Sequence, residues 1–301
     1  MSDYCAFLSN CLAIGVQKTT RKTDGGWIKD RIEWNLNKHK VILQQNKNII
    51  TQPLDKLRNR WIDSSKIIVR NVPKTKVSEA ENIAKDLACM LSFAGMSQVR
   101  VYGSEYPMGS CKQTRYSKIG IARFFRPTFD VRDGSNVKNF INQCWPLYRK
   151  LKRKRKLNIV FEILTTSEAS SLPLEIRLVS VFIALENLKD TYAKSKGIPY
   201  CKGFYRKISL PPKPNPSKEP KYSFEELLSL MLKETGIKKG LRRIISLRND
   251  LIHSGISRRP HKSKLKTFEN CHEIIRKYIL ILLGYKGSYR SYEKPDSLLK
   301  I

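Results

Sequence analysis

LEIRLVSVFIALENLKDTYAKS, residues 174–195, is the stretch that decides the fold. Leu178, Val181, Leu185, Leu188 and Tyr192 recur at steps of three and four, which draws one apolar seam along a helix of about six turns. Gly197 closes that helix, and the chain beyond supplies the partners its seam needs. Residues 208–221, ISLPPKPNPSKEPK, hold five prolines and cannot be helix, so they form an extended connector. Ser223 with Glu226 reads as a capping box for a second helix, whose apolar face carries Phe224, Leu227, Leu228, Leu230 and Met231 before Gly236. Gly240 precedes a third, with Leu241, Ile244, Ile245, Leu247, Leu251 and Ile252 leading to Gly255. A fourth runs from about Ser263 through Leu265, Phe268, Ile275, Tyr278, Ile279 and Leu282 to Gly284. Four helices with short or proline-rich joints, beginning near Pro173, read as a bundle.

Upstream the pattern is mixed. Residues 1–65 carry little periodicity beyond Trp27-Ile28, Ile32-Glu33-Trp34 and Lys38–Gln45, which suggest strands. Ile67-Ile68-Val69 reads as a buried strand ended by Asn71-Val72-Pro73. Ser78 with Glu81 reads as a capping box, Ile83, Leu87, Leu91 and Ala94 as a helical stripe, and Gly95 as its terminating glycine. Val99–Tyr102 then alternates as a strand, which completes a strand–helix–strand unit over residues 66–106. Ile68–Val72 resembles the first strand of an RNA-recognition motif, but Val101-Tyr102-Gly103 offers one ring where several should stack, so an ordinary packing unit is preferred. Ile119–Phe125 and Lys156–Leu164 read as further strands or helix starts. Val137, Phe140, Ile141 and Cys144 mark a helix that Pro146 should break. The expected fold class is α+β, with a mixed N-terminal region over residues 1–165 and a helical domain over 166–301.

The charge narrows the partners. Lys and Arg number 58 against 26 Asp and Glu, a formal net charge of +32, with a pI near 10.0. A polyanion relieves such self-repulsion, so RNA or DNA is the expected partner, with an anionic membrane second and a merely lysine-rich composition third. Arg149, Lys150, Lys152, Arg153, Lys154, Arg155 and Lys156 form a run that reads either as a solvated connection or as a phosphate-tracking patch. Cysteines 5, 11, 89, 111, 144, 201 and 271 show no zinc-ligand spacing and are expected to be reduced thiols. No signal peptide or long apolar run appears, which points to the cytoplasm and away from the membrane. There is no glycine-rich phosphate loop, no nucleophile elbow and no spaced carboxylate set for metal ions, so neither a cofactor nor a metal is expected.

The third bundle helix ends in Leu247-Arg248-Asn249-Asp250-Leu251-Ile252-His253-Ser254-Gly255. Here the chain resembles the HEPN superfamily, whose ribonuclease members carry an Arg, usually followed by a polar residue, and a His a few residues on. Leu174–Leu178 followed by Ala184-Leu185-Glu186 looks like the first helix of the HEPN domain in two-domain bacterial defence proteins of the ApeA type. Val77–Tyr102 looks like the segment preceding it there. The resemblance spans about Lys66 to Gly284 and implies a metal-independent endoribonuclease that works as a two-fold dimer, an anti-phage or toxin-type effector.

The residue types suit that chemistry. RNA is cut without metal when its 2′-hydroxyl attacks the adjacent phosphorus, which needs a base, an acid and positive charge on the phosphate. An imidazole can serve as base or acid and a guanidinium as a charged fork for phosphate, parts that His253 and Arg248 could supply. Asn249 is expected to orient one of them. Asp250 is expected to cap or to pair with Arg248, and Glu186 to order Arg248. The plain alternatives are a helix-end cation for Arg248 and a packed ring for His253. His39, His261 and His272 are read as structural. Five residues place Arg248 and His253 roughly 140° apart on an ideal helix, so either the helix loosens near its end, as Ser254-Gly255 permits, or two copies pool their side chains. The competing function is a HEPN bundle that dimerises and grips RNA without cutting it.

Overall fold

A computed structural model describes residues 1–21, 26–110, 113–114, 120–209, 213–237 and 241–301; the readings of Cys111, Ile119, Pro211, Pro212 and Gly240 lie outside them. The chain divides into two compact units, residues 1–149 with 283–301 and residues 150–282. This places the boundary at Arg149, ahead of the expected 165, and returns the last nineteen residues to the first unit.

The first unit is built on a seven-stranded sheet in the order β2-β3-β4-β5-β1-β6-β7. Its strands are β1 (Ser2–Ser9), β2 (Gln17–Arg21), β3 (Trp27–Leu36), β4 (His39–Gln45), β5 (Asp63–Val72), β6 (Arg100–Glu105) and β7 (Gln113–Thr114), and each neighbouring pair is antiparallel. Asn37 and Lys38 join β3 to β4 with φ of 49° and 68°, the two left-handed residues of a tight hairpin whose twist matches its strands. β1 lies between β5 and β6, pairing Tyr4 with Val69 and Phe7 with Gly103. Tyr4, Cys5, Ala6 and Leu8 are all buried, so this central strand is apolar on both faces and shows no alternation. Two short helices, α1 (Lys47–Ile50) and α2 (Leu54–Leu57), connect β4 to β5.

Helix α3 (Val77–Gly95) links β5 to β6 and packs on β1, β5 and β6 through Ile83, Leu87, Leu91 and Ala94. It begins after a 3-10 turn at Lys74–Lys76 with no side-chain cap, so Ser78 lies inside the helix and forms no capping box. The left-handed terminating residue is Met96, with φ of 46°, one beyond the expected Gly95. Residues 120–125 are neither strand nor helix. Helix α4 (Gly134–Leu151) runs through Pro146 without breaking. Its inner face, Val137, Phe140, Ile141, Cys144 and Tyr148, is buried, and that burial outweighs the one hydrogen bond proline removes. Ile68 and Tyr102 are 4% exposed in this wide sheet, which leaves no open four-stranded RNA platform. Residues 283–301 close the unit, where Arg126 donates to the Tyr292 carbonyl at 3.0 Å and Arg290 pairs with Asp130.

The second unit is helical: α5 (Leu157–Ser167), α6 (Leu174–Ser195), α7 (Phe224–Lys233), α8 (Leu241–Ser254) and α9 (His261–Leu282). Helix α6 is the hub and packs against each of the other four. The seam Leu178, Val181, Leu185, Leu188 and Tyr192 is buried as its spacing requires. Between α6 and α7 the chain makes a small hairpin, β8 (Tyr200–Cys201) with β9 (Phe204–Tyr205). Ser223 and Glu226 form the reciprocal capping box of α7, Glu226 N donating to Ser223 Oγ at 3.1 Å and Ser223 N to Glu226 Oε2 at 2.8 Å. Lys207 adds an ion pair, and that bond with the cap holds the Glu226 carboxyl down to about 2. Among the described residues no helix is long and apolar enough to cross a membrane.

Candidate active site

Helix α8 is fixed by Ile244, Leu247 and Leu251, spaced by three and four and at most 3% exposed. Arg248 follows Leu247 and so stands at the flank of that stripe, facing α6 and α7. Its Nη2 donates to Glu186 Oε1 at 2.6 Å, its Nη1 to Asn249 Oδ1 at 3.0 Å, and its guanidinium lies 4.7 Å from the centre of the Phe224 ring. The other carboxylate oxygen of Glu186 meets Lys189 Nζ at 2.7 Å. Glu186 and Asn249 therefore both bond to Arg248. The Arg248 Nε is buried and has no hydrogen-bond partner.

Asp250 pairs with Arg259 Nε at 2.9 Å rather than with Arg248. Arg259 also donates to Ser246 Oγ at 2.5 Å, which ties the loop after α8 back onto the helix. His253 is exposed, and helical bonding continues past it: Gly255 N donates to the Leu251 carbonyl at 2.9 Å. The helix therefore does not loosen within the Arg248–His253 span, and it ends at Ser254. Gly255 follows, with a φ of 71° that suits glycine. On an unbroken helix the two side chains leave about 140° apart, so one copy of the chain does not bring Arg248 and His253 to a single phosphate.

The basic run does not act as one surface. Arg155 is buried at 4% and donates to Thr191 Oγ1 at 3.1 Å, the Leu188 carbonyl at 3.2 Å and the Tyr278 hydroxyl at 2.5 Å, tying α6 to α9. Arg149 pairs with Asp86 at 2.8 Å. Lys150, Arg153, Lys154 and Lys156 remain exposed, with Lys152 half-buried. The run thus includes one interior cation, Arg155, among exposed ones.

No family model matches the chain, and neither does any curated protein or solved structure.

Two features of the second unit escaped the sequence reading. In the first, Ser167 Oγ lies 3.0 Å from His272 Nε2, and His272 Nδ1 lies 3.7 Å from Glu168 Oε1. That order suggests a nucleophile, base and carboxylate, but the serine hydroxyl donates to the Leu164 carbonyl at 2.7 Å. Its proton is spent, so Nε2 must donate to Oγ, and the ring cannot act there as a base. All three residues are at most 4% exposed, which makes this a buried tie between α5 and α9 and keeps His272 structural.

The second feature is a cavity of about 660 Å³ against Arg248, whose wall includes Glu186, Asn187, Tyr200, Phe204, Tyr222 and Phe224. The Tyr205 phenol, also on this wall, is pushed up by burial and by Asp190, to which it is hydrogen-bonded. Burial opposes the charge of Asp190, yet bonds from Tyr205 and Lys194 hold its carboxyl below the usual value. Five rings within residues 200–224, interleaved with Lys and Arg, were the available signal. Among the described residues no group of three His, Cys, Asp or Glu is placed to hold a metal ion.

Proposed function

We propose that this chain is a metal-independent endoribonuclease of the HEPN type, with α6, α7, α8 and α9 as its bundle and a catalytic cleft completed by a second copy. The observation that carries this reading is the division of labour along α8. Arg248 is ordered by Glu186, Asn249 and Phe224 at the edge of a cavity, while His253 is exposed on another side of the same helix. A side chain that cannot reach its partner residue within one chain can reach it across a two-fold axis. Ile252, 48% exposed, and Ile256, 68% exposed, flank His253 and supply apolar surface for such an interface.

In the cleft, one imidazole accepts the proton of the ribose 2′-hydroxyl as its oxygen bonds to phosphorus. The bond from phosphorus to the 5′-oxygen breaks, and the imidazolium so formed returns its proton to that oxygen. Arg248 balances charge on the phosphate. The products are a 2′,3′-cyclic phosphate and a 5′-hydroxyl, and cellular RNA as substrate makes the protein a toxin-type or anti-phage effector.

Incubating the purified chain with total RNA in EDTA tests this. New 2′,3′-cyclic phosphate ends, absent with Arg248→Ala and with His253→Ala, are the expected result; cleavage that both variants retain refutes it. The second reading is an RNA-gripping scaffold without catalysis, favoured by the pairing of Arg248 with Glu186, which offsets its charge. Binding that persists with no cleavage in any arm selects it.

A further inference from the structure

The hairpin between α6 and α7 carries its rings outward. Tyr200 is 61% exposed and Phe204 44%, although both are large enough to serve as core. Tyr200 meets the buried Tyr205 edge-on at 4.9 Å, which fixes its plane. Lys221 Nζ stands 3.8 Å from the centre of the Phe204 ring, Lys189 lies 5.2 Å over Phe224 and Lys207 5.4 Å over Tyr222. Residues 196–222 hold seven Lys and Arg against the single acid Glu219. The cavity these rings border, at about 660 Å³, falls in the roughly 300–1,000 Å³ range of small-ligand sites.

Rings held rigid among cations are the surface on which unpaired bases stack, because every base has a π face and every linkage a phosphate. A duplex keeps its bases stacked on one another and gains nothing from such rings. An apolar peptide segment would offer no counter-charge to Lys221, whose ammonium lies over the Phe204 ring. We infer that the groove formed by Tyr200, Phe204 and Phe224 is a nucleobase subsite for single-stranded RNA, which seats a base beside Arg248. Arg248, whose side chain is 21% exposed on the same wall, is placed to meet the adjoining phosphate. This names the substrate class of the ribonuclease proposed above and rests on that reading.

The test uses the full chain carrying His253→Ala to stop turnover, with a fluorescent single-stranded RNA and the same sequence as a duplex. Tyr200→Ala and Phe204→Ala are each expected to weaken single-strand binding about tenfold, with little effect on the duplex and no change in melting temperature. Tyr200→Trp, which keeps a stacking face, should bind as tightly as the parent. Unchanged single-strand binding in both alanine variants overturns the subsite, as does an equal loss for strand and duplex. The two claims fail separately. Ring-dependent binding by a chain that never cleaves RNA removes the ribonuclease and keeps the subsite; cleavage indifferent to both rings removes the subsite and keeps the ribonuclease.

Discussion

Around Arg248, helix α8 is gripped by α6 and α7: a carboxylate, an amide oxygen and an aromatic face all meet one guanidinium. Around His253, little more than a turn later, the same helix is exposed, with bare isoleucines at 252 on it and at 256 just past its end. The two ends share a backbone and a hydrogen-bond ladder, so the difference comes from side-chain burial alone. It teaches that folding needs the first end and has little use for the second. An exposed His253 contributes little to stability and leaves an imidazole on the surface.

That contrast can be broken by mutation. Leu251→Ala, which empties a buried position on the gripped side, should cost about 2–5 kcal/mol in urea unfolding. His253→Ala, two residues away, should change stability by no more than ~0.5 kcal/mol. Equal losses would mean that the exposed end is also structural. A smaller effect sharpens the picture of how the Phe224 ring is held under Arg248. Ser223→Ala removes one half of the α7 capping box and should cost ~1 kcal/mol, with thermal melts as the readout.

The smallest effect is expected from acid. Glu226 is held at about 2 by its bond to Lys207 and by the cap, below an ordinary value of 4.5. A carboxyl depressed on folding adds stability that is complete above its unfolded value and is lost as pH falls through the folded one. Melting temperature should therefore decline between about pH 4.5 and about pH 2, and Glu226→Gln should flatten part of that decline. A curve unaffected by the substitution would detach Lys207 and the hairpin from the cap.

The helical unit was readable because each helix buries one stripe and shows it as a three-four rhythm, as Leu178 to Tyr192 does. Strand β1 was not, because Tyr4, Cys5, Ala6 and Leu8 are buried on both faces and leave no alternation to detect. Ser78 with Glu81 had the spacing of a capping box, but the turn at Lys74–Lys76 starts the helix earlier and places Ser78 within it. At the site, Arg248 and Asn249 were legible from their order in the chain. The setting of Arg248 was less so, since Glu186 and Phe224 are distant in sequence and reach it only through packing on α6. Arg155 read as surface charge because nothing in a run of cations marks which one turns inward toward Thr191 and Tyr278. The ring-lined groove stayed hidden because Tyr200 and Phe204 sit on two-residue strands, where periodicity has no length to act on, and only Phe224 lies on a helix.

The central claim is that Arg248 of one copy works with His253 of another. Mixing Arg248→Ala chains with His253→Ala chains, each inactive alone, tests it most directly. Hybrid pairs then contain one intact arginine and one intact histidine on different chains, and RNA cleavage in EDTA should reappear in the mixture. A mixture as silent as its components, with both variants folded and subunits shown to exchange, would contradict the account.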